Sequence, residues 1–125
     1  VLISGAKHVP PQPYLVPKQM EDLVIWYNEN KDRLHPVVMS AEMHERLVTI
    51  HPFIDGNGRT ARLLMNLILL QSGYPIAILK GDAESRLQYY NALEAAQTDN
   101  NTRPFIDLII GNVKSTMRRI INTIV

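Results

Sequence analysis

The sequence predicts a single all-α domain spanning residues 1–125, and three observations lead there. Apolar residues recur at helical spacing in successive stretches of the chain. Prolines and glycines stand at the ends of those stretches, where helices start and stop. Extended text is confined to the proline-rich front of the chain.

Taken in order, Val1–Ser4 reads as a short strand and His8–Val16 as an extended arm or hairpin, with Pro10, Pro11 and Pro13 limiting the backbone. Pro17 suits the first turn of a helix carrying Met20, Leu23, Val24 and Tyr27 at helical spacing. Asn28–Leu34 is polar loop. Pro36 opens a second helix whose inward stripe is Met39, Met43, Leu47 and Ile50. Pro52 stops it, because proline disfavours helical geometry in the preceding residue. After a loop over Phe53–Gly58, a third helix runs Arg59–Ser72. It is apolar on almost every side, which places it at the centre of the domain. Gly73 closes it and Pro75 prevents its continuation. Asp82 caps a fourth helix to about Gln97, and a last helix runs from about Arg103 to Ile121.

Composition narrows the function. Thirteen Lys and Arg against twelve Asp and Glu leave a charge of +1, so no nucleic-acid partner is expected. The absence of cysteine removes disulfides, a thiol nucleophile and thiolate zinc sites. No apolar run reaches the roughly 18 residues of a membrane span, and Asn66 interrupts the most apolar stretch, Leu63–Leu70. The chain starts at Val1 without methionine and reads as a fragment; its compartment stays open, with a cytoplasmic setting preferred.

One segment stands apart: His51-Pro52-Phe53-Ile54-Asp55-Gly56-Asn57-Gly58-Arg59-Thr60-Ala61-Arg62. Two glycines flank Asn57 just before a helix, allowing a tight turn and close approach of a ligand to the backbone. The N–H groups of Gly56–Arg59 then converge at a helix N-terminus, where the dipole favours an anion. Arg59 and Arg62 lie three residues apart on the first turn and supply charged forks for phosphate. Asp55 on the rim suits Mg²⁺, which needs one or two carboxylates when phosphate oxygens complete its shell. His51, across the loop, is the natural proton acceptor near neutral pH. Together they point to transfer of a phosphorus-containing group from a nucleotide. Each piece has a plainer reading: a helix-end histidine, an ordinary Asp-Gly-Asn-Gly turn, a solvated arginine pair.

The same segment matches the signature HPFx(D/E)GNGRxxR at every defined position, and so resembles the Fic domain family of the Fido superfamily. Leu63–Pro75, Tyr89–Gln97 and Arg103–Phe105 extend the likeness toward the protein adenylyltransferases related to the Fic enzyme of the animal endoplasmic reticulum. The resemblance implies a helical fold with a β-hairpin flap over the active site, which residues 1–16 would supply. It implies transfer of AMP from ATP to a Ser, Thr or Tyr hydroxyl of a target protein bound along that flap, with release of pyrophosphate. His51 would be the base, and Asp55 would hold Mg²⁺ (or Mn²⁺). Gly56, Asn57 and Gly58 would cradle the phosphates, with Arg59 and Arg62 on the outer ones. Tyr89, Tyr90 and Gln97 would line the adenosine pocket, although Gln97 replaces the Asn common there. A homodimer is compatible with the family.

Many relatives carry an inhibitory (S/T)xxxE(G/N) helix whose Glu pairs with the second motif arginine. No Ser or Thr in this chain has a Glu four residues on. The brake is then outside the fragment, on a separate chain such as an antitoxin, or absent, and Arg62 should be open to the γ-phosphate. Alternatives are a Doc-like kinase, whose motif has lysine where Gly58 stands, removal of AMP by the full-length protein, another nucleotide donor, and a non-catalytic nucleotide-binding module. The loose dinucleotide fingerprint Gly56-x-Gly58-x-x-Ala61 lacks its preceding strand. His44-Glu45 begins a zinc-protease string, but Val48 stands where the second ligand belongs.

Overall fold

The computed structural model describes residues 8–124. A 3₁₀ turn at Pro13–Leu15 leads into five α-helices: α1 (Val16–Asn30), α2 (Pro36–Ile50), α3 (Asn57–Gln71), α4 (Ala83–Asp99) and α5 (Arg103–Ile124). The expected helices are all present, and their ends follow local chemistry. Pro36 occupies the first turn of α2, while His35 Nδ1 accepts a hydrogen bond from the Val37 N–H (3.2 Å). That fixes the tautomer, so His35 Nε2–H donates to the Tyr74 hydroxyl (3.2 Å) and ties the start of α2 to the segment beyond α3.

Gly73, at φ 84°, ends α3 in a Schellman arrangement, with the Tyr74 N–H bonded to the Leu69 carbonyl and the Gly73 N–H to that of Leu70. Asp82 caps α4 by accepting from the Ser85 N–H at 3.0 Å. Asn66, the polar break in the apolar run, accepts from the Ala77 N–H at 3.0 Å and pins the 74–82 connection onto α3.

The centre of the domain is α2, not α3. The other four helices all pack on or around α2. It buries residues on nearly every side, from Val37 to Ile50, including the polar Ser40 and His44. By contrast, α3 buries Ala61, Met65, Ile68 and Leu69 against α2 and leaves Leu63, Leu67 and Leu70 at least half exposed. Those three leucines, at i, i+4 and i+7, share the face turned away from α2.

The expected β-hairpin flap is also corrected. Among the described residues there is no strand: residues 8–12 lack regular structure, and the chain turns helical from Pro13. Three prolines in this segment have no N–H to offer a ladder, which removes the basis for pairing a target along residues 8–16. Instead His8 Nε2–H donates to the Thr49 carbonyl (2.8 Å) and tacks the arm to the last turn of α2. The strand expected at Val1–Ser4 lies outside the described residues.

Candidate active site

The site is built where α2 ends and α3 begins. His51 follows the last residue of α2 in left-handed geometry, φ 54° and ψ 58°, with its N–H still bonded to the Leu47 carbonyl (3.0 Å). Glycine adopts this conformation without strain, whereas a residue with a β-carbon pays roughly 1–2 kcal/mol. The imidazole is partly buried, its Nδ1 enclosed without a partner. Burial lowers its pKa from the ordinary value, so the ring is a neutral acceptor at pH 7.

Asn57, the first residue of α3, fixes the loop between. Its side chain is buried, with Oδ1 accepting from the Phe53 N–H (2.9 Å) and Nδ2 donating to the Phe53 carbonyl (2.8 Å). Both ends of the amide thus hold the loop from which the expected phosphate cradle is built. Asn57→Ala should cost about 2–3 kcal/mol and loosen the loop, read as a lower urea midpoint together with reduced ATP binding.

Gly56 caps α3 at φ 86°, and the Thr60 N–H makes the first intrahelical bond, to the Gly56 carbonyl (2.9 Å). The N–H of Gly56 is taken by Asp55 Oδ1 (2.9 Å), so the amides that can face an anion are those of the first turn, with Gly58 and Arg59 foremost. A β-carbon on Gly56 would lie 3.2 Å from Arg59 Nη2, and one on Gly58 would lie 3.1 Å from Arg62 Nη2. Both glycines thus let a guanidinium rest against the backbone, and a side chain at position 58 would displace Arg62. Asp55 is highly exposed and pairs with Arg59 at 3.2 Å, an i,i+4 contact of little stability that an incoming ligand can open.

Arg62 lines a cavity of about 440 Å³ together with Tyr89 and Tyr90, so the structure brings these three together. Gln97 does not join them: it lines a separate cavity of about 560 Å³ beside Trp26, Thr49 and Ile50, with its Nε2 buried and unpartnered.

Sequence reasoning gave no role to His44. It is fully buried, shares a 2.7 Å hydrogen bond between Nε2 and the Tyr89 hydroxyl, and stacks on Phe105 with ring centres 5.2 Å apart. Burial lowers its pKa to about 4; the Ala61 carbonyl offsets part of this, while the positive charge of Arg62 adds to it. Burial also raises the Tyr89 hydroxyl, with Arg62 opposing. The available signal was its position seven residues before His51, on one helix face.

The Fic/DOC family matches residues 2–69. Protein adenylyltransferase Fic of Drosophila grimshawi is 44% identical over 118 residues, covering 94% of this chain and 23% of that protein. The chain thus spans about a quarter of the length of the curated relatives it matches. Among solved structures, Fic-1 of C. elegans superposes with a TM-score of 0.84 at 36% identity, over 99% of this chain and 37% of that one. IbpAFic2, in complex with adenylylated Cdc42, gives 0.71 at 26% identity, over 93% and 38%. With the family matched over more than half its length, and the HPFxDGNGRxxR residues at the junction of α2 and α3, the chain belongs to the Fic/DOC family.

Proposed function

We propose that this chain is the catalytic core of a protein adenylyltransferase, which moves AMP from ATP to a Ser, Thr or Tyr hydroxyl of a target protein and releases pyrophosphate. The observation that carries the reading is the backbone of His51. A strained left-handed corner holds an imidazole where glycine would be cheaper, and such outliers persist where the side chain has work to do. The adenylyltransferase relatives, and a structural neighbour in complex with an adenylylated protein, support the same chemistry.

His51 accepts the proton of the target hydroxyl as its oxygen attacks the α-phosphorus. The first-turn amides of α3 and the Arg59 and Arg62 guanidiniums hold the phosphates in line for that attack. Asn57 keeps the loop in the shape that presents those amides. Among the described residues no group of three or more His, Cys, Asp or Glu side chains could hold a metal ion, so a metal would arrive with the nucleotide. Asp55, an exposed hard-oxygen donor beside the amide cradle, fits Mg²⁺ bound in that way. Such an ion neutralises phosphate charge and orients the chain of phosphates.

The test is incubation of the 125-residue chain with Mg²⁺ and ATP labelled at either the α- or the γ-phosphate. Label incorporated into protein from the α position alone, and lost in His51→Ala, is the expected outcome. Label from the γ position alone would instead make it a kinase, and intact ATP binding without label a binding module.

A further inference from the structure

His44 is a buried titratable group that the transfer chemistry leaves unused. It stands where α2, α4 and α5 meet. Tyr89 of α4 shares a hydrogen bond with its Nε2, and Phe105 of α5 stacks on its ring, which fixes the ring plane. Tyr90 closes edge-on against Tyr89, with ring centres 5.2 Å apart, so four rings run from exposed Tyr90 to buried Phe105. Tyr89 lines the 440 Å³ cavity beside Arg62, whereas His44 does not. The Tyr89 hydroxyl is thus turned inward, away from the cavity, and the ring alone forms the wall. Arg62 acts electrostatically on both His44 and Tyr89, so its guanidinium lies close to the pair.

A buried hydroxyl deprived of its partner is costly. Tyrosine turns about two side-chain torsions, and the open side of Tyr89 is the cavity. Without Nε2, turning that way would give the hydroxyl water to bond, and it would fill the space beside Arg62. An acceptor on α2 therefore governs the shape of a cavity that α2 does not line.

We propose that His44 is a positioning residue for the nucleotide: by holding the Tyr89 hydroxyl inside the core, it keeps the cavity beside Arg62 open to ATP. The proposal deepens the adenylyl-transfer reading and rests on its nucleotide lying against Arg62 and the two tyrosines. His44 touches neither ATP nor the target; it acts through Tyr89.

Isothermal titration of the 125-residue chain with ATP, in a double-mutant cycle of His44→Phe and Tyr89→Phe, tests this. Phenylalanine at position 44 keeps a ring on Phe105 and removes the nitrogen that holds the hydroxyl. His44→Phe should weaken ATP binding on the order of tenfold. In AMP transfer the loss should fall on KM for ATP rather than on kcat. In the Tyr89→Phe background no hydroxyl is left to turn, and the same substitution should change ATP affinity little. Urea midpoints report whether each variant folds. If His44→Phe does not, His44→Gln and His44→Asn replace it: the longer amide reaches the Tyr89 hydroxyl and the shorter does not, so only asparagine should weaken ATP. A folded His44→Phe with the parent's affinity, equal weakening in both backgrounds, or equal affinities of the two amide variants overturns the proposal. Transfer of α-label by a chain whose ATP affinity ignores His44 leaves the adenylyltransferase reading standing without it. A His44 effect that requires the Tyr89 hydroxyl, in a chain that transfers no label, supports the positioning role and removes the transfer reading.

Discussion

Replacing His51 with alanine should reduce AMP transfer by a factor on the order of 10²–10⁴, the usual contribution of a positioned base. The fold should barely notice. Alanine carries the same β-carbon into the left-handed corner, so backbone strain is unchanged, and the imidazole is only partly buried. His51→Gly sharpens the contrast. Relief of roughly 1 kcal/mol of strain offsets the greater freedom that glycine has in the unfolded chain. That variant should melt near the parent temperature and be as inactive as His51→Ala.

The pH profile supplies an independent check. Burial lowers the His51 pKa, so the neutral, proton-accepting ring persists below the ordinary value of about 6.5. The acid limb of kcat/KM should therefore lie below pH 6.5, with activity lost as pH falls through the depressed pKa. A limb above 6.5, or substantial transfer by the alanine variant, would remove His51 from the role of base.

Acidification should destabilise the protein through His44, and this is the second large effect. The unfolded histidine titrates near 6.5, while burial takes the folded one to about 4. Between these values the unfolded chain binds a proton that the native state refuses. The stability tied to neutral His44 is fully present above pH 6.5 and is lost as pH falls toward 4. Two to three pH units correspond to about 3 kcal/mol, a large share of the roughly 5–15 kcal/mol that holds a domain together. Glu45, whose carboxyl is raised by burial, titrates with the opposite sign, so the histidine must be isolated by substitution. Urea midpoints at pH 7 and pH 4.5, compared with those of His44→Gln, do this. The parent should lose about 3 kcal/mol across that interval and the variant much less. Parallel losses would show that His44 does not govern the acid response.

Much of this organisation was legible in the residues. Proline at helix starts and glycine at helix ends marked the boundaries, because each acts through its own backbone. The 51–62 segment was legible for the same reason: the histidine, the turn glycines and both arginines lie within twelve consecutive residues. The rest depended on what faces what across the fold. The leucines of α3 looked central by composition, but composition does not say which face meets a neighbour. His44 and Tyr89 lie 45 residues apart, and no spacing rule joins them. Asn57 belonged to the signature, and its bonds to Phe53 show that the signature encodes loop architecture.

The centrality of α2 has a mechanical corollary. His44 near its middle and His51 at its end are separated by seven residues, about 10 Å of helical rise. One histidine anchors Tyr89 at the cavity wall and the other is the proposed base, so a single stiff rod sets the span between them. Any closure around a nucleotide would move against a ruler that keeps its length.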